Sequence, residues 1–556
     1  MVSISKLSAS VSETTKRRQK KFYEPYKIHS KQIASLKMNS IYHRVIILLF
    51  HAIVFCHGYR ILAVMPYASA SHKNTVVPLL NELAERGHHV TFITGKRTQQ
   101  FQNTTNVREI VLDMKVEFTV ANGGPGRKSF FENIVEQPFK TKMEFLKKFR
   151  EVPESTINST FKDLQIRNML ETEKFDVVLV SLITAYIGYP LAWHFNCPFI
   201  LMSPNVVMAD LPFVMGDSEH SEYVPFIMSG FTNRMSLMER TINTALVHLT
   251  TKIPKMFNTP VFEKLVQHYL PGCPPLLEIE HNTSLIFTNT HPSISYPRAS
   301  PPSLIEIGAI HCHPAKPLPT DLEEFIDDGG NPAGFLVFTV GSVIQMDEMP
   351  VRILEVFKNV FARLPQRVIW QWKNQPQNLT MPPNVLLSSW LPQQDLLGYP
   401  KCRGFLTHGG LLSTQEAVYH GVPVIGIPFV TDQENNMIKA VSDGYAIKLN
   451  WNNIDEEKLH TALIDILNDP KYDSNVKRLQ SLLRDQPETP LERAVFWTEY
   501  VLRNKGAAAL QLGSRNLTRF QRNLIDVYCI LFAAFVSLMV AIIFAIRWAY
   551  LRRPRK

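Results

Sequence analysis

The segment 390–436, WLPQQDLLGYPKCRGFLTHGGLLSTQEAVYHGVPVIGIPFVTDQENN, carries the densest set of groups able to hold a phosphorylated sugar. Its pattern predicts a strand ending at Thr407, a turn at His408-Gly409-Gly410 and a helix over 411–419. The two glycines let backbone approach a ligand closely, and a helix N-terminus presents free N–H groups, which suits a phosphate. Ser413 adds a hydroxyl in the first turn. Glu416, three residues on, shares its helical face, and a carboxylate there can accept from both hydroxyls of a ribose. Trp390 can stack on a base. Gln393 carries the donor and the acceptor that a uracil edge requires. Asp432 and Gln433, after a strand at 422–427, can take sugar hydroxyls. Each piece alone has a bland reading, as core tryptophan, ordinary turn or solvated carboxylate. Their order and spacing together are specific.

Such a constellation needs strands to carry it. Residues 59–65 read as a buried strand, followed by a loop with Ser69, Ser71 and His72, a helix over about 75–86 and a strand at 90–94. This βαβ opening predicts a parallel sheet. Further strands are expected at 175–181 and 198–202. The Pro-rich run 313–320 reads as an interdomain linker. Beyond it the pattern restarts, with strands at 334–339, 367–372, 384–388, 404–407 and 422–427. The expected boundaries are an acceptor domain at 59–312, a linker at 313–330 and a nucleotide-sugar domain at 331–505. A stem at 506–526 follows.

The 556 residues carry a net charge of +10. Residues 1–38 hold nine Lys/Arg against two Glu, and 547–556 hold five Lys/Arg, so the body between them is slightly acidic. That excludes a basic nucleic-acid binder. The charge flanks apolar segments instead. Residues 45–56 after Arg44 have the shape of a signal-peptide core, giving a signal at 38–58. Residues 1–37 then form an extension upstream of Met38, a position suited to a translation start. Residues 527–546 are uncharged and long enough to span a bilayer. Trp548, Tyr550 and a basic tail at 547–556 follow, as at a cytosolic membrane face. Type I topology results, with the body in the lumen of the endoplasmic reticulum. Sequons at Asn103, Asn158, Asn282, Asn378 and Asn516 agree with a glycoprotein. Cys197, Cys273, Cys312 and Cys402 could form disulfides there, in a pairing the sequence leaves open. No Cys/His cluster points to a metal.

The segment 390–436 closely resembles the signature of the UDP-glycosyltransferases, enzymes that conjugate sugars to small lipophilic molecules. The resemblance runs from Tyr59 to the basic tail. It includes Phe338-Thr-Val-Gly-Ser342 and Ile307-Gly308 before HCHPAKPLP, and HGGLLSTQEA is similar to the arthropod branch. It implies the GT-B type of α/β fold: two facing Rossmann-like domains with parallel sheets, here with a C-terminal transmembrane helix. It assigns Trp390 and Gln393 to uracil. Ser342, His408, Gly409, Gly410 and Ser413 go to the diphosphate, Glu416 to the ribose, and Asp432 and Gln433 to the sugar. The UDP-sugar is a co-substrate, so no cofactor or metal is implied. The partners are a UDP-sugar, a lipophilic acceptor and a membrane, with homo-oligomerisation open. Detoxification is the implied role, and the arthropod wording favours glucose over glucuronate.

Transfer to an alcohol needs a base at the acceptor hydroxyl. His72 sits after the first strand, at the carboxyl edge where α/β ligands bind, and the resemblance makes it the general base of an inverting displacement. The family usually places an acid at the end of the strand beginning Phe175-Asp176. Here that residue is Ser181, and Asp176 lies about 16 Å away along the strand. A serine can fix a tautomer but supplies no charge, and loss of such a charge costs up to about 10⁴-fold in a well-studied triad. Three consequences stay open: a weaker enzyme, another acid such as Asp210, or acceptors that ionise readily. The acceptor pocket is expected from the Phe- and Met-rich region 100–250, with Phe130, Phe131, Met208, Phe213, Met215, Met228 and Met235 as lining or as plain core. Two competing functions remain: a catalytically impaired binding protein of the same fold, and a nucleotide-sugar epimerase.

Overall fold

The computed structural model describes residues 58–67, 70–101, 104–114, 131, 133, 152–205, 211–327, 332–341, 346–374, 379–429 and 432–552. The signal segment before Gly58, Ser342, Asp210, Phe130 and Met208 lie outside them.

The first sheet contains β1 (Arg60–Met65), β2 (His89–Thr94), β3 (Val107–Val111), β4 (Val177–Ser181), β5 (Phe199–Ser203), β6 (Leu285–Thr288) and β7 (Leu304–Glu306). Its order is β3-β2-β1-β4-β5-β6-β7, with every pair parallel. The second contains β8 (Phe335–Thr339), β9 (Arg367–Gln371), β10 (Val385–Ser388), β11 (Cys402–Thr407), β12 (Val424–Gly426) and β13 (Ala446–Lys448). Its order is β10-β9-β8-β11-β12-β13, again all parallel. These are two Rossmann-like α/β units, as the sequence pattern predicts.

The central strands are apolar on both faces because helices cover both faces. In β1, Leu62 and Val64 join one core layer while Ile61, Ala63 and Met65 join the other. The strand order reverses between β1 and β4 in the first sheet and between β8 and β11 in the second. Such switch points open a crevice at the carboxyl ends of the strands. His72 follows β1, Ser181 ends β4, and the His408 turn follows β11.

Four features differ from the sequence expectation. His72 lies on a short helix, Ala70–Asn74, rather than in a loop. The Thr75 hydroxyl and amide both donate to the His72 carbonyl, at 2.7 and 3.2 Å, and close that helix. Next, helix Pro490–Asn504 falls within the expected second domain, yet Ala494, Val495, Val501 and Leu502 pack in the core of the first. The chain thus crosses back and straps the two units together.

The third difference concerns the Phe/Met set. Phe131 is fully buried in the second domain's core, with its ring 5.1 Å from Phe429 and 4.9 Å from Trp451. Phe213 lies under the guanidinium groups of Arg519 and Arg522, at 4.0 and 4.1 Å. Met215 and Met235 are buried and Met228 is exposed. These side chains serve several different contacts and do not line one pocket. Finally, Cys197, Cys273, Cys312 and Cys402 are all free thiols. Cys273 is held inside the first domain's core, and burial pushes its thiol up to about 11.

After the strap, residues 511–522 bind back to the first domain. A 27-residue helix, Ile525–Leu551, follows with no buried residue and an 18-residue stretch of mean hydropathy 3.0, long enough to cross a bilayer.

Phe131 reaches from the first unit into the second unit's aromatic core. Phe131→Ala should therefore cost about 3–5 kcal/mol and lower the thermal inactivation temperature of the full chain. Leu164→Ala, at a position 78 % exposed, should leave that temperature unchanged.

Candidate active site

The donor half is built on the helix Leu411–His420. Gly410 is its N-cap and offers no side-chain cap, so the N–H groups of the first turn point out of the helix end. Gly421, in the left-handed region at φ +73°, stops the helix, and Gly421 and Val422 N–H groups close onto Val418 and Ala417 carbonyls. The turn before the helix depends on close approach. A Cβ on Gly410 would stand 2.6 Å from His408 Nε2, and one on Gly341 would stand 2.8 Å from His408 Cε1. Gly409, at φ +80°, approaches Met437 as closely. The His408 ring is thus wedged between two backbone segments that only glycine permits. Burial pushes this imidazole down to about 4 against the pull of the Asp432 carboxylate. It is neutral at pH 7 and acts as a hydrogen-bonding group rather than a cation.

The inward face of the helix is polar and nearly all buried. Gln393 Nε2 donates to Ser413 Oγ at 3.3 Å and to Glu416 Oε2. The structure therefore brings Gln393, Ser413 and Glu416 into one cluster. Trp390 stands at the rim, 74 % exposed, with its face free for a planar ring. Asn436 Nδ2 donates to Asp432 Oδ2 at 2.8 Å and to the Gly409 carbonyl at 3.0 Å, which ties Asp432 to the glycine turn. Gln433 is buried, and its Oε1 accepts from the Phe429 amide at 2.8 Å.

His72 is the residue expected on the acceptor side. Its neighbour Lys73 is buried and donates to Thr98 Oγ1 at 3.2 Å and to the Lys96 carbonyl, which anchors the short helix to the β2–β3 connection. Burial lowers the His72 pKa, and the opposing charge on it is again Asp432. Asp432 comes from the second domain, so one carboxylate acts on an imidazole from each domain. Ser181 is buried at the end of β4, paired in register with Met202 of β5.

His311 was not singled out by its sequence. It is 2 % exposed at the side chain, and its Nε2 lies 3.3 Å from Glu416 Oε1 and 3.4 Å from the Leu412 carbonyl. Burial opposes its protonation. The adjacent Cys312 sulfur and the Glu416 carboxylate overcome that and raise the imidazole to about 10. His311 thus reaches from the end of the first domain to the Glu416 carboxylate, which also accepts from Gln393. The only trace in the sequence is a histidine–cysteine–histidine run before the prolines. The joint is reinforced nearby. Gln415 Nε2 donates to the Asn289 carbonyl at 2.9 Å, and the Ala309 amide donates to Gln415 Oε1 at 3.3 Å.

A small cavity of about 70 Å³ opens beside Asp432. Tyr296, Arg298, Asn436 and Lys439 are among its walls. The Arg298 guanidinium nitrogens are buried with no hydrogen-bond partner among the described residues.

The sequence profile of the family described as UDP-glucoronosyl and UDP-glucosyl transferase matches residues 60–554. The chain belongs to that family. It is 32 % identical over 490 residues to UDP-glucosyltransferase 2 of Dactylopius coccus, covering 86 % of this chain and 91 % of that one. It is 31 % identical over 505 residues to human UDP-glucuronosyltransferase 2B10, covering 86 % and 92 %. Among solved structures, the calicheamicin glycosyltransferase CalG4 superposes with a TM-score of 0.54 at 17 % identity, over 80 % of this chain and 99 % of that chain. The spinosyn forosaminyltransferase SpnP gives 0.55 at 14 % identity, over 80 % and 100 %. These likenesses establish the GT-B fold. This UDP-glycosyltransferase takes a UDP-sugar as its donor.

The His311–Glu416 pair makes a signed pH prediction. The folded pKa of His311 lies above its unfolded value of about 6.5. Its contribution to stability is therefore whole below that pH and is lost as pH rises toward 10. Thermal inactivation of the wild-type protein should become steadily easier over that window. His311→Gln should be less stable at pH 6.5 and lose most of that dependence.

Proposed function

We propose that this UDP-glycosyltransferase transfers glucose from UDP-glucose to a hydroxyl of a small lipophilic acceptor, with inversion at the anomeric carbon. The observation that carries the reading is the Asp432 carboxylate, whose charge acts on two imidazoles, one from each domain. His72 comes from the switch point of one sheet and His408 from that of the other. His72 is neutral at pH 7, as a base must be. It takes the acceptor proton as the acceptor oxygen bonds to the anomeric carbon and the bond from that carbon to the diphosphate breaks. The Asp432 carboxylate then favours the imidazolium, a charge that Ser181 cannot supply. The departing UDP meets the bare N-terminus of helix Leu411–His420 and the neutral His408, which stabilise developing negative charge without a metal. Trp390 holds the uracil face and Gln393 its edge, Glu416 takes the ribose, Ser413 and Ser342 the diphosphate, and Gln433 the sugar beside Asp432. We place the body in the lumen of the endoplasmic reticulum, anchored by the helix Ile525–Leu551.

The wording of residues 408–417 and the UDP-glucosyltransferase of Dactylopius coccus support glucose. Arg298 favours a second reading of the donor. An unpaired guanidinium in a cavity beside Asp432 suits a carboxylate on the sugar, as in glucuronate. The Ser181 position favours a second reading of the activity, in which donor binding outlasts turnover.

Products from UDP-glucose, UDP-glucuronate and UDP-galactose, incubated with mixed phenols and lipophilic alcohols, would be identified by mass spectrometry. Hexose adducts from UDP-glucose are expected, with His72→Gln lowering kcat by about 10²–10⁴-fold. Adducts from UDP-glucuronate alone would overturn the glucose reading. Donor binding without any UDP release would favour the impaired protein. Ser181→Asp should raise the rate on an aliphatic alcohol and leave a readily ionised phenol unchanged. An unchanged rate on both would mean that Ser181 is no handicap.

A further inference from the structure

A strained turn after β7 delivers His311. Ala309 adopts φ +65°, a left-handed conformation that alanine takes only where its surroundings impose it. Two side chains impose it here. The Ala309 amide donates to Asn289 Oδ1 at 3.2 Å and to Gln415 Oε1 at 3.3 Å. Asn289 follows β6 in the first domain, and Gln415 lies on the helix Leu411–His420 of the second, so the turn is set from both sides. A second clamp acts two residues on. Gln394 Nε2 donates to the His311 carbonyl at 3.0 Å, and the His313 amide donates to Gln394 Oε1 at 3.0 Å. Backbone held at 309, 311 and 313 leaves the His311 side chain little choice of direction. Strain that the surroundings over-determine in this way gathers at functional sites.

The direction is toward Glu416. His311 Nε2 lies 3.3 Å from Glu416 Oε1 and 3.4 Å from the Leu412 carbonyl. Both neighbours are acceptors, so Nε2 carries a hydrogen and donates. Glu416 Oε2 accepts from Gln393 instead. The two carboxylate oxygens are thus held by different elements, Oε1 by the turn after β7 and Oε2 by the short helix Gln393–Leu397. The two holds are not equivalent. Gln393 is also the residue read as meeting the uracil edge, so its amide has a second task. His311 is 2 % exposed at the side chain and is fixed through its own backbone. A carboxylate that accepts from two neighbouring hydroxyls must be fixed in rotation as well as in place. Its oxygens keep further lone pairs for those hydroxyls.

We propose that His311 is a positioning residue for the donor's ribose: by holding Glu416 Oε1 it fixes the plane of the carboxylate, and it thereby sets the selection of UDP over its 2′-deoxy counterpart. This rests on the reading of Glu416 as the group that takes the ribose. A site built to hydrogen-bond a hydroxyl rejects the analogue that lacks it, because its buried polar group is left unmatched. A carboxylate released from His311 spreads over several rotamers and loses that discrimination. Binding contacts away from the ribose are unaffected by the release.

The test is isothermal titration calorimetry of the detergent-solubilised full chain with UDP and with 2′-deoxy-UDP. The wild-type protein is expected to bind UDP more tightly by about 10-fold or more, the size of a hydrogen bond to a charged group. His311→Leu should lose most of that preference by weakening UDP alone, with the Kd for 2′-deoxy-UDP unchanged, which also shows that the variant is folded. His311→Gln, whose amide nitrogen reaches as far as Nε2, should restore the preference. Equal weakening of both nucleotides by His311→Leu, or no change in either, overturns the proposal while the ribose reading of Glu416 stands. So does a His311→Gln variant no more selective than His311→Leu. If His311→Leu binds neither nucleotide, His311→Asn is judged by the same criterion, since its amide nitrogen stands at the position of Nδ1 and falls short of Glu416. A wild-type protein without preference refutes the ribose reading itself, and the proposal with it.

Discussion

Burial of polar groups all round helix Leu411–His420 constrains much of this molecule. Ser413, Thr414, Gln415 and Glu416 are four successive polar residues, all buried. A carboxylate removed from water is costly unless it is paired and hydrogen-bonded. Glu416 meets that demand with Gln393 and with His311, which belongs to the interdomain connection. Gln415 meets it with the Asn289 carbonyl and the Ala309 amide of the first domain. The helix that follows the glycine turn is therefore also the joint between the two domains.

The electrostatics of the cleft follow from the same economy of charge. His72 and His408 are both kept neutral by burial, and both feel Asp432. A neutral imidazole at position 408 can donate to an anionic oxygen without adding a fixed charge. A neutral imidazole at position 72 has the protonation state that can accept a proton. Asp432 is itself held in place by Asn436, which also grips the Gly409 carbonyl. The geometry of the sugar site and that of the phosphate turn are thus coupled through one amide side chain.

Most of the local structure of 390–436 was legible because it is local. A strand, a glycine turn and a helix within 390–436 specify their own arrangement, and the switch-point rule then puts the turn in a crevice. The strand sequence likewise predicts parallel sheets, since runs such as Val177–Ser181 are apolar on both faces. What was illegible depends on contacts between distant residues. No periodicity reveals that Phe131 fills the other domain's aromatic core, or that helix Pro490–Asn504 returns to the first domain. His311 sits in a short run with no motif, and its meaning comes from Glu416, 105 positions later in the numbering. The acid expected at 181 was sought along the first domain's own strand. The carboxylate that acts on His72 arrives from the second domain, which a reading within one domain does not reach.

The segment 506–526 alters how the body relates to its anchor. A free stem would let the catalytic body tumble above a bilayer. Here Arg515, Arg519 and Arg522 each bind backbone or carboxylate groups of the first domain, and two of them cover Phe213. Charged side chains that hydrogen-bond several carbonyls in half-buried sites lose rotational freedom and hold the segment to the surface. The strap helix before this segment is built into the first domain's core. The spanning helix is therefore fastened to the domain that carries His72, and the second domain is reached through the joint at Glu416. Any opening of the cleft must move the second domain relative to a first domain that holds the segment before the apolar helix.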